Sequence, residues 1–147
     1  MNTRPVHIWQ CGLRAGQAAV TRGARSQVAE AAFRQADLPS VRRLAAVFGA
    51  RTGIGPVCLA DFVLAVSEAA ACVVAGEPGT ARVRLWTTGP RVLCEVRGTC
   101  GPRQRAGGPL HGEAEAMRRW LLRQLSDYAS VSSAPDGVTV LVSITVT

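Results

Sequence analysis

The chain contains no lysine: all 17 of its basic residues are arginine. Without a lysine amine it can form no Schiff base, and it cannot build a P-loop. Aromatic residues make up only 5% of the chain. The net charge of +7 raises the question of nucleic acid, but the arginines are spread from Arg4 to Arg123. Neither a basic helix nor a stacking platform emerges, so nucleic acid is not an expected partner. No uninterrupted run of about 18 apolar residues occurs, and no membrane span is expected. The opening "MNTRPVHIWQCGLRAGQ" lacks the basic start and long apolar core of a secretory signal. A CxxC pair is also missing. Cys11, Cys58, Cys72, Cys94 and Cys100 are an odd set, which fits small buried thiols in a reducing cytoplasm better than a disulfide framework or a zinc site. No metal or other cofactor is expected.

What is present suits one compact domain: 147 residues with 48% hydrophobic content are ample for a single core. Residues 1–32 are rich in Ala, Arg and Gly and weakly periodic. They read as an extension with a short strand near His7 to Cys11 and then a helix or a mobile arm. Residues 33–147 read as the domain proper. Ser40 is a plausible N-cap for a first helix in which Val41, Leu44, Ala45 and Phe48 recur at helical spacing. A second helix runs from Pro56 to about Val74. Leu59, Phe62, Val63, Val66, Ala70 and Val73 form its apolar face, with Asp61, Ala65, Glu68 and Cys72 as an adjoining stripe.

"ARVRLWT" and "RVLCEVR" alternate as strands and are joined by the turn "TTGP" into a hairpin. Val83 and Leu85 oppose Arg82, Arg84 and Trp86, while Val92, Cys94 and Val96 share a face. "GTCGPRQRAGGPLHG", from Gly98 to Gly112, reads as a loop. A third helix is expected from Glu113 to Tyr128, burying Met117, Leu121, Gln124 or Leu125, and Tyr128. Its acids come first and its arginines later, as the helix dipole prefers. "APDG" is a turn, and "VTVLVSITV" closes the chain as a strand. The fold class is therefore α+β, a two-layer sandwich of a mostly antiparallel sheet covered on one face by helices.

Four stretches resemble the histidine-kinase-like ATPase fold and, more narrowly, the bacterial anti-sigma-factor serine kinases: "LPSVRRLAAVFGARTGI", "ADFVLAVSEAAACVV", "VRLWTTGPRVLCEVRG" and "RRWLLRQLSDYASVSSAPDGVTVLVSI". In that family the second helix carries Glu-x-x-x-Asn, whose Glu activates the attacking group and whose Asn ligates the magnesium of ATP. Glu68 matches the Glu, but Cys72 stands at the Asn. Magnesium selects oxygen ligands and a thiol is soft, so Cys72 cannot replace that ligand. The family's Asp-x-Gly, which reads adenine, falls on Gly98 and Cys100. Losing that acceptor costs about 1–3 kcal/mol of affinity and most base selectivity. The Gly-x-Gly-Leu phosphate cradle falls near Arg118 and Arg119, beside Glu113 and Glu115, whose charge repels a polyphosphate.

The resemblance thus implies a kinase-like scaffold that has lost ATP binding. Glu68 is the one candidate catalytic base; the alternative is an acid paired with an arginine such as Arg82 or Arg84. Cys72 and Cys100 would face the former nucleotide groove, either as filling or as thiols activated by Arg97 or His111. His111 is the only histidine in a plausible site. Trp86 and Trp120 read as partly buried aromatics, with Trp86 a possible partner anchor. The expected function is regulation through a protein partner, which in the resembled family is a sigma factor or an anti-anti-sigma protein. The alternative is a relined groove, formed by Glu68, Cys72, Gly98, Cys100, His111 and Arg118, that binds an apolar small molecule. It could perform a cofactor-free cyclisation or isomerisation there. A working serine kinase comes third. A cytoplasmic location is expected, and the sequence leaves a homodimer open.

Overall fold

The computed structural model describes residues 7–11, 18–22, 27–74, 80–99, 113–135 and 137–146. Seven strands form one sheet: β1 (His7–Cys11), β2 (Ala18–Arg22), β3 (Gln27–Phe33), β4 (Ala81–Thr88), β5 (Arg91–Thr99), β6 (Tyr128–Ala134) and β7 (Gly137–Thr145). Their order is β1-β2-β3-β4-β5-β7-β6, and every neighbouring pair is antiparallel. Helices α1 (Leu38–Arg51), α2 (Pro56–Val74) and α3 (Glu113–Leu125) cover the sheet, giving the α+β sandwich that the hydrophobic pattern implies.

Alternation decides which face they cover. Val83 and Leu85 of β4, Val92, Cys94 and Val96 of β5, and Val140 and Val142 of β7 are all fully buried. They line up in register: Val83 opposes Val96, which opposes Val140. Against this inner face pack Leu44 and Phe48 of α1, Phe62 and Val66 of α2, and Leu122 of α3. Burying each such side chain contributes about 1.5–3 kcal/mol.

Of the three helices, α1 and α2 start with the help of proline, α2 at Pro56 itself. Pro39 lies in the first turn of α1, where its missing N–H is not needed. The preceding turn is closed by the Asp37 carboxylate, which accepts the Arg34 N–H at 3.0 Å. The helix therefore begins at Leu38, ahead of the N-cap expected at Ser40. It ends where the Thr52 hydroxyl donates to the Gly49 carbonyl at 2.7 Å and Gly53 takes a φ of 81°, which only glycine adopts without strain. Gly49 also lets α2 approach closely, since a Cβ there would meet Leu59.

α2 is long and apolar enough, by length and composition, to cross a membrane, with a mean hydropathy of 2.1. In this fold it is the central helix, packed against α1, α3 and strands β4, β5 and β7.

Three other expectations change. The N-terminal stretch continues as a second strand rather than a helix or arm: β2 pairs with β1 and β3. β3 in turn pairs with β4, so the division at residues 32 and 33 falls inside a strand of the main sheet. Gly98 belongs to β5, opposite Ala81 and Val138, so the first two residues of the expected loop are strand, and the rest of it lies outside the described residues.

The last helix stops at Leu125, and Tyr128 opens β6. The turn is set by the Ser126 hydroxyl on the Leu122 carbonyl and by the Asp127 N–H on Ser143 O at 2.9 Å. Among the described side chains of α3, Leu122 is fully buried and Leu125 packs against the core as expected, while Met117 and Tyr128 are exposed and Gln124 is exposed as well. The helix wedges between α2 and β6, and that wedge selects a different face from the one its spacing suggests. β6 itself, "YASVSSA", is too small and polar to advertise a strand.

Candidate functional site

Glu68 lies on the solvent side of α2, its side chain 25% exposed. Its partner is Arg118 of α3, whose Nε stands 3.8 Å from Glu68 Oε1. Arg82 and Arg84, the partners expected from sequence, lie on the opposite face of the sheet. There both meet Glu30, at 3.2 and 3.8 Å. One residue before Glu68, the Ser67 hydroxyl accepts from Arg42 of α1 at 3.2 Å. Polar links from α1 and α3 thus converge on one stretch of α2.

Cys72, one turn beyond Glu68, is completely buried within the core. Glu68 is half-exposed at the helix edge, so the two side chains do not open onto one common surface. Gly98 is partly exposed but leaves no room for a side chain. A Cβ at this position would run into Val73 of α2 and lie 3.7 Å from the Ala81 Cβ. A side chain such as the Asp of the resembled motif has no room there.

At the described positions of the resembled motifs a magnesium–nucleotide complex does not fit. Where the motif carries an oxygen ligand stands the interior sulfur of Cys72, and where it carries the Asp a side chain on Gly98 would meet Val73 of the covering helix. Among the described residues, no group of three His, Cys, Asp or Glu is placed to hold a metal ion. Cys100 and His111 lie outside the described residues. Arg97, expected to activate a thiol, instead pairs with Glu95 at 3.6 Å on the outer face.

Cys94 is also interior. Burial, reinforced by the Glu95 charge, pushes its thiol far above the ordinary range, which makes it an inert filler. Arg119 turns away from Arg118 towards β6. Its Nε is buried without a hydrogen-bond partner, beside a cavity of about 60 Å³ lined also by Leu122, Arg123 and Ala129 to Val131. Trp120 is 54% exposed. Trp86 is half-buried on the outer face, with the Arg84 guanidinium 5.0 Å above its ring.

A larger cavity, of about 570 Å³, lies at the end of the sheet where β4 and β7 begin and β5 and β6 finish. Its lining includes Arg82, Arg97, Ser132 and Thr139 and contains neither Glu68 nor Cys72. Sequence reasoning missed it. Alternation places those arginines on the polar face, but only the register brings Arg82 opposite Arg97. The Glu68–Arg118 pair was equally out of reach, since no local spacing links two residues on different helices.

The chain matches no protein-family model, and no curated protein matches it significantly in sequence.

Proposed function

We propose that this chain is a regulatory protein that acts by binding a protein partner, on a scaffold like that of the anti-sigma-factor serine kinases but without their nucleotide chemistry. One observation carries the reading. Along α2 the glutamate of the resembled motif is held by Arg118 at 3.8 Å, while the residue one turn on is a core cysteine. The Arg118 guanidinium already engages that carboxylate, and without a metal ligand beside it a triphosphate has nothing to orient it. The partner class suggested by the resemblance is a sigma factor or an anti-anti-sigma protein. Binding of that kind uses outer surfaces and survives loss of the groove. Trp120, Tyr128 and, in part, Trp86 are aromatic groups available to such a surface among the described residues.

The relined-groove alternative has less support. Of the positions that would give it room, Cys72 is buried in the core, and Val73 fills the space over Gly98.

Two measurements test the proposal together. Calorimetric titration with Mg·ATP should give no binding tighter than about 100 μM, a threshold equivalent to some 5 kcal/mol. Gel filtration against sigma factors and anti-anti-sigma proteins from the source organism should give a stable complex with one of them. Tight Mg·ATP binding would restore the kinase reading, and failure with every candidate would remove the partner reading.

A further inference from the structure

We propose that the cavity at the end of the sheet binds a small oxyanionic molecule, a phosphomonoester or a carboxylate, between the guanidinium groups of Arg82 and Arg97. This rests on the outer face of the sheet and is independent of the kinase-like reading.

Arg82 of β4 and Arg97 of β5 stand directly opposite each other in the antiparallel register, so both side chains rise from the same face. Like charges directly opposite on paired strands oppose pairing. Each of the two also has a carboxylate partner. Glu30 approaches Arg82 from the β3 side at 3.2 Å and is shared with Arg84 at 3.8 Å. Glu95 lies along β5 from Arg97 at 3.6 Å. Among the described residues, three arginines thus face two glutamates on this patch.

The two arginine side chains are 63% and 70% exposed, so each can exchange its carboxylate partner for a ligand. Both line a cavity of about 570 Å³, within the range of small-molecule sites. Thr80, Ser132, Ser133 and Thr139 also line it, and their hydroxyls can donate to the remaining anion oxygens. Paired planar forks with hydroxyls around them suit an oxyanion in particular, because each guanidinium can grip two oxygens at once. An oxyanion between the two arginines also relieves their mutual repulsion, which gives the site a reason to fill.

The test is a ¹⁵N–¹H NMR titration of the whole chain with inorganic phosphate, with succinate, and with sodium chloride at matched ionic strength. Saturable shifts of the Gly98, Gly137 and Thr139 amides are expected with at least one oxyanion. Chloride should produce only a small linear drift. Saturation by phosphate alone identifies a phosphomonoester, by succinate alone a carboxylate, and by both the shared chemistry. Arg97→Gln should weaken binding about tenfold or more. Thr139→Val, which keeps both arginines, should weaken it less. Circular dichroism establishes that each variant is folded. Absence of saturation with both oxyanions would overturn the proposal. So would equal effects from chloride, or unchanged affinity in folded Arg97→Gln.

Discussion

Val73, near the end of α2, occupies the space that a side chain at Gly98 of β5 would need. Valine is stiff at χ1 and cannot swing aside cheaply. Gly98→Ala should therefore destabilise the protein by about 1–3 kcal/mol through overpacking. Val73→Ala in the same chain should recover part of that loss, a non-additivity expected of residues in direct contact. Urea unfolding of the two single variants and the double variant measures it. A neutral Gly98→Ala with Val73 in place would show that strand and helix are not in close contact.

Glu68 and Arg118 join α2 to α3 with an ion pair that is about a quarter to a third exposed. Partial solvation limits such a pair to under about 1 kcal/mol. Glu68→Gln and Arg118→Gln should each lower the unfolding free energy by no more than that, and partner binding should survive Glu68→Gln. If Glu68→Gln abolished an activity while leaving the fold intact, the carboxylate would be a working base.

Cys72→Asn restores the amide of the resembled motif and gives a sharper test. The position is completely buried, so the amide enters an apolar core. Leaving its donors and acceptor without partners costs roughly 1–3 kcal/mol. We expect a lower melting temperature and no gain of Mg·ATP binding, read by thermal unfolding and calorimetry. A variant that bound Mg·ATP would mean that a groove opens beside this helix.

Strong periodicity made much of this fold legible. The bounds of α2 follow from Pro56 and its apolar face, and β4, β5 and β7 follow from strict alternation of valine, leucine or isoleucine with polar residues. Weak amphipathicity hid the rest. β2 and β6 carry mostly small or polar residues and a single valine each, so their pairing is decided by neighbouring strands rather than by their own side chains. The buried face of α3 is set by the wedge between α2 and β6, which no local spacing encodes. The same distinction applies to function. The nature of Glu68 and Cys72 could be read locally, but the partner of the one and the burial of the other are tertiary facts. The opposition of Arg82 and Arg97 likewise depends on register.

Asp127 joins the end of α3 to β7, its carboxylate accepting the Thr145 N–H at 2.6 Å. Hydrogen bonds from Thr145, aided by the charge of Arg91, hold its carboxyl below the ordinary carboxylate value despite a small opposing effect of burial. The folded state therefore favours the ionised form. Its contribution to stability is complete above the unfolded value of about 3.9 and is lost as pH falls through the lower folded value. Asp127→Asn removes the charge while keeping an acceptor. The difference in unfolding free energy between the native chain and this variant should be constant from pH 7 to about pH 5. It should then shrink below about pH 4 towards a residue set by the weaker neutral hydrogen bond. Urea titrations at steps across that range provide the measurement. A difference that stayed flat down to pH 2, or that widened on acidification, would show that the Asp127–Thr145 link does not depend on the carboxylate charge.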